Sequence, residues 1–61
     1  MLTQAVMWFL LVRANGVDVL YERVPYGGEQ GCINRAKEFM AEYKAQHPNE
    51  TIRYQCKMVR E

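Results

Sequence analysis

The residues of this 61-residue chain that could do chemistry are two cysteines, one histidine and a glycine-rich stretch. Cys32 falls near the start of a predicted helix, where the dipole favours a thiolate, and Cys56 falls in the last predicted strand. Brought together, they could be a redox pair, a structural bridge or two small buried hydrophobes. The spacing is not C-x-x-C and no histidine lies near either cysteine in sequence. That favours the structural readings over a thiol enzyme. A bridge between them would close a loop of about 24 residues, worth on the order of 3 kcal/mol by chain entropy. His47 precedes Pro48 and reads as a helix-terminal residue. One histidine and two cysteines do not supply the four ligands of a zinc site. Gly27-Gly28-Glu29-Gln30-Gly31 precedes apolar helical periodicity, as an anion site would. It lacks the spacing of a P-loop or a dinucleotide fingerprint, and Glu29 would repel an anion. No catalytic, cofactor or metal constellation emerges, and the expectation is a non-enzyme.

The elements that must position these residues are legible. Asn15-Gly16 separates Ala5–Ala14 from Val17–Val24, and Asn-Gly is the favoured pair for a type I′ hairpin. A regular ladder then pairs Ala14 with Val17, Val12 with Val19, Leu10 with Tyr21 and Trp8 with Arg23. The alternate rungs are Arg13–Asp18, Leu11–Leu20 and Phe9–Glu22, the first placing opposite charges across the strands. Pro25 ends the second strand. Cys32, Ile33, Ala36, Phe39, Met40 and Tyr43 recur at helical spacing, so a helix is predicted from Glu29 to His47. Gly28 is a weak cap and Gly31 weakens the first turn. Pro48 stops the helix. Glu50–Arg60 alternates, with Ile52, Tyr54, Cys56 and Met58 on one face, which predicts a half-buried strand.

The order β-β-α-β makes the last strand antiparallel to the first. The expected fold is α+β: a three-stranded antiparallel sheet in the order 2-1-3, with one helix packed on one face. Fifteen helical residues after Cys32 climb roughly 22 Å at about 1.5 Å each. Seven strand residues up to Cys56 descend roughly 23 Å at about 3.3 Å each. The two cysteines are therefore predicted to be neighbours. Residues 1–61 form one small domain, and residues 1–5 are expected to fray.

Eight basic residues against seven acidic ones give a net charge of +1, with no Lys/Arg run. That argues against nucleic acid as a partner. The apolar run Ala5–Val12 is too short to span a bilayer, and no basic residue precedes it as in an export signal. Expectations are a cytoplasmic protein and no membrane partner. Asn49-Glu50-Thr51 matches a glycosylation pattern that has no meaning in that compartment.

Trp8, Tyr21 and Tyr54 share the face of Val12 and Val19, which the helix is expected to cover. The opposite face would carry Met7, Phe9, Leu11, Leu20 and Val24, rimmed by Arg13, Asp18, Glu22, Arg53 and Lys57. Nothing left in the chain can cover it, and such a patch marks a protein interface. The expected partner is a second copy, as a homodimer, or a host protein. An alternative is a single-stranded nucleic-acid module using the sheet aromatics and Arg23. A second alternative is a thiol-redox protein.

Met7-Trp8-Phe9-Leu10-Leu11 opening a strand, an early-helix Cys32 followed by Ala36, and a closing Tyr54-x-Cys56 strand resemble a group of small uncharacterised proteins of tailed phages and prophages. The resemblance spans about residues 7–57. Met1–Val6 precedes the usual start, and Gly27-Gly28 replaces the usual polar residue before the helix. It implies the same fold and a phage accessory role in the host cytoplasm, with no catalytic residues.

Overall fold

The computed structural model describes residues 6–60. The expected fraying of residues 1–5 lies outside them. Strands β1 (Val6–Ala14) and β2 (Val17–Val24) form the hairpin, helix α1 (Gly28–Gln46) follows, and β3 (Ile52–Arg60) closes the chain. The sheet is antiparallel in the order β2-β1-β3, as the direction of travel requires. Asn15 and Gly16 both have positive φ, 51° and 80°, which a type I′ turn demands. Asn15 also ties the turn to the chain entering β3. Its N–H donates to the Thr51 carbonyl at 2.9 Å, and its Oδ1 accepts from the Thr51 N–H at 3.0 Å.

The helix covers the face bearing Leu10, Val12 and Ala14, which are buried together with Cys32 and Ala36. Trp8, Val19, Leu20, Val24, Phe39, Met40 and Cys56 pack against this core while only partly buried. The two fully buried helix residues are small ones separated by four positions. The helix axis thus comes closest to β1 at Cys32 and Ala36, and Phe39 and Met40 fill the space further along. Glu38 and Glu42 are exposed.

Gly31 has a different part from the one its sequence suggests. A Cβ at this position would collide with the Tyr26 carbonyl oxygen, so the loop after β2 folds against the first helical turn only because the side chain is absent. Its N–H donates to the Gly27 carbonyl at 3.0 Å. The weak helix former is a packing requirement of the β2–α1 connection.

The hairpin register departs from the regular ladder. Ala14–Val17 and Arg13–Asp18 pair as expected, but Val12 then faces Leu20 and a bulge leaves Val19 as the extra residue. Every later rung shifts by one: Leu11 faces Tyr21, Leu10 faces Glu22, Phe9 faces Arg23 and Trp8 faces Val24. In the regular register Leu20 and Val24 would face away from the helix while Tyr21 and Arg23 faced it. The bulge brings Leu20 and Val24 onto the core, where Val19 packs in either register. Burying an aliphatic side chain fully is worth about 1.5–3 kcal/mol, against about 1 kcal/mol for one lost ladder hydrogen bond. Partial burial of these two side chains, with Tyr21 released to solvent, works in favour of the bulge. Glu22, turned to the helix side, accepts a 2.7 Å hydrogen bond from Arg35 Nε.

Candidate interaction surface

The sheet face away from the helix follows from these two registers. Rows of side chains run across the three strands in the order β2, β1, β3. Arg23, Phe9 and Lys57 make one row, Tyr21, Leu11 and Gln55 the next, and Asp18, Arg13 and Arg53 the third. Met7 and Val59 pair beyond the first row. Phe9 therefore sits between two cations, and Leu11 between a phenol and an amide. The Phe9 and Tyr21 rings lie 5.7 Å apart between centroids, tilted by 42°. Tyr21 is 67 % exposed, whereas Met7, Phe9 and Leu11 are half-buried by their neighbours. Phe9, Leu11 and Tyr21, with Arg13, Asp18, Gln55 and Lys57, line a shallow depression.

Of the expected interface residues, Met7, Phe9 and Leu11 lie on this face. Leu20 and Val24 do not: the bulge turns them onto the helix-side core. The expected aromatic grouping separates too. Trp8 packs against the core, Tyr54 lies on the helix side with 41 % exposure, and Tyr21 moves to the open face. Tyr21 and Arg23 are the residues of this surface that sequence reasoning placed on the wrong side. Strand alternation carries no signal of the shift; Glu22 finds its partner in Arg35, on another element.

The bulge also redistributes charge. Glu22 leaves the open face and Arg23 joins it, so its ionisable residues are Arg13, Arg23, Arg53 and Lys57 against Asp18 alone. Arg13 Nε donates to Asp18 Oδ1 at 2.7 Å in an exposed ion pair. Among the described residues Arg23, Arg53 and Lys57 make no ion pair. Arg13 and Arg53 stand directly opposite each other on neighbouring strands, an arrangement that costs free energy in the isolated protein.

Cys32 and Cys56 are joined by a disulfide with their Cα atoms 6.0 Å apart. The bond fastens the first half of α1 to β3 beside Leu10, which pairs with Cys56. At the other end of the helix Tyr43, His47 and Glu50 cluster. The Tyr43 hydroxyl donates to Glu50 Oε1 at 2.9 Å, and His47 Nδ1 lies 2.9 Å from Glu50 Oε2. Partial desolvation, the hydrogen bond to Glu50 and that carboxylate's charge together raise the Tyr43 pKa above its usual value. The cluster closes the helix terminus, with the His47 N–H donating to the Tyr43 carbonyl at 2.8 Å. Among the described residues no three His, Cys, Asp or Glu side chains converge as a metal site requires. Nor is any described helix long and apolar enough to cross a membrane.

No protein-family profile, curated protein or solved structure matches the chain.

Proposed function

We propose that this protein is a non-enzymatic binding module, an accessory protein of the phage type, whose working surface is the open sheet face centred on Phe9. The observation that carries the reading is the central strand. An antiparallel sheet commonly leaves one face to water and lines it with polar residues, but the middle of this open face carries the apolar Met7, Phe9 and Leu11, and no described element covers them.

The same face argues against the simplest dimer. A twofold face-to-face pairing sets identical surfaces against each other. Here that would bring two sets of Arg13, Arg23, Arg53 and Lys57 together with only two aspartates between them. The favoured partner is a different molecule with acidic groups around its contact. The site of action in this proposal is the cytoplasm, where thiol reductants hold most cysteine pairs open. The core of Leu10, Val12 and Ala36 must then carry the fold without the bridge.

A photo-crosslinking residue placed at Leu11 tests the reading in the cells where the protein is made, with Glu38 on the exposed helix surface as control. Crosslinks from position 11 and none from position 38 are expected. Equal crosslinking from both positions, or crosslinking from position 38 alone, would contradict the assignment of the working face.

A further inference from the structure

The near-neutral charge of the chain hides a strong segregation. The open face carries four cations and one anion, a net +3. The whole chain is +1, so its remaining side chains sum to −2. What matters for a polyanion is the local field of the contacting surface, and here it is several charges more positive than the total suggests. Three further features bear on what that polyanion is. Phe9 and Tyr21 offer adjoining rings on neighbouring strands, with Arg23 and Lys57 on either side of Phe9. Gln55, in the row of Leu11 and Tyr21, supplies an amide that can both donate and accept. And the like-charge pair Arg13–Arg53, offset in part by Asp18, is a cost that an anionic occupant reduces further.

Resting on the reading of this face as the working surface, we infer that its occupant is single-stranded nucleic acid, with phosphates against Arg13, Arg23, Arg53 and Lys57 and bases stacked on Tyr21 and Phe9. An acidic protein would satisfy the cations but has no particular use for two adjoining rings. A duplex would satisfy the cations too, but its bases are stacked on one another and out of reach of a flat sheet. Base–aromatic stacking on a cationic surface needs no sequence preference, because every base has a π-face. A three-strand face suits a short footprint of a few nucleotides.

The test is fluorescence polarisation of the whole protein with a labelled oligothymidylate of about 15 nucleotides, within the range of sites a small sheet module occupies. Neutralising three or four phosphates on a single strand gives a log–log salt slope of about −2 to −3, so affinity should fall roughly 15- to 60-fold between about 50 and 200 mM NaCl. Tyr21→Ala should weaken binding by roughly tenfold or more, the usual range for loss of one stacking partner. Arg23→Glu/Lys57→Glu should abolish it at the same salt, and Lys37→Glu/Lys44→Glu on the helix should change it little. All these side chains except Tyr21 are exposed and charged, and circular dichroism of each variant checks that the fold persists. Preference for the single strand over its duplex is part of the expected result.

Absence of binding at the lowest salt, or equal binding by Arg23→Glu/Lys57→Glu, would overturn the inference. So would retention on phosphatidylserine vesicles with no affinity for the oligonucleotide, which would make the anion a lipid surface. A protein crosslinked through Leu11 together with a negative oligonucleotide titration would leave the working face in place and remove only its nucleic-acid occupant.

Discussion

At the scale of single residues, side-chain absence matters as much as presence. Gly31 looks like a helix defect in the sequence, yet its missing Cβ is what lets the Tyr26 carbonyl come against the first turn. Ala36 works in the same way at the closest approach of helix and sheet, where it is fully buried. Helix propensity alone predicts that Gly31→Ala stabilises the protein by up to about 1 kcal/mol. The contact with Tyr26 predicts the reverse, a loss of about 1–3 kcal/mol as in other overpacked sites. Urea unfolding of this one variant measures the sign directly. The Arg13–Asp18 pair teaches a second lesson at this scale. It forms as expected, but it lies on the turn side of the bulge and is satisfied in either register. A charge match close to a turn fixes only the rungs next to it.

At the scale of elements, strand and helix boundaries, sheet order and the meeting of Cys32 with Cys56 were readable from period, turn chemistry and rise per residue. The bulge was not, because a regular ladder is what alternation alone describes. What selects it is a three-way choice between Leu20 on the core, Glu22 within reach of Arg35 and Tyr21 outside, and Arg35 lies on another element. The helix is tied by the disulfide to β3 in its first half and by Tyr43 to the α1–β3 connection at its far end. Removing the bridge at one end by Cys32→Ser/Cys56→Ser should cost on the order of 3 kcal/mol for a loop of this length, seen as a lower denaturation midpoint against the oxidised protein. At the other end Tyr43 stays neutral where it donates to Glu50. Its pKa is raised in the folded state, so its contribution to stability is fully present below the unfolded pKa of about 10 and is lost as pH rises through the higher folded value. Tyr43→Phe should therefore unfold with a flatter alkaline limb than the natural chain. An identical dependence above about pH 10 in both proteins would remove Tyr43 from that effect.

At the scale of the whole molecule, one inserted residue changes the character of a surface. With a regular hairpin the open face would have carried Leu20, Val24 and Glu22 and been a mixed, nearly neutral apolar patch. With Val19 bulged it carries Tyr21 and Arg23 instead, next to Phe9, and becomes aromatic and cationic. That is why the regular ladder points to an interface for a second copy or a host protein, while the partner proposed from the folded protein is anionic. Leu11 lies at the centre of this face, outside the core, so Leu11→Glu should leave a folded protein whose melting temperature stays within a few degrees of the natural one. Unfolding of that variant would mean that the face is covered.

The aromatic and cationic character of the working face stands on the bulge, and the proximity of two rings reports it. Proton NMR of the uniformly labelled protein should show nuclear Overhauser contacts between the aromatic protons of Phe9 and Tyr21, as their 5.7 Å centroid separation requires, and between Val12 and Leu20 across the hairpin. If the Tyr21 ring instead contacts Leu10 and Cys32, the hairpin is regular, Arg23 belongs to the helix side, and the cationic aromatic face does not exist.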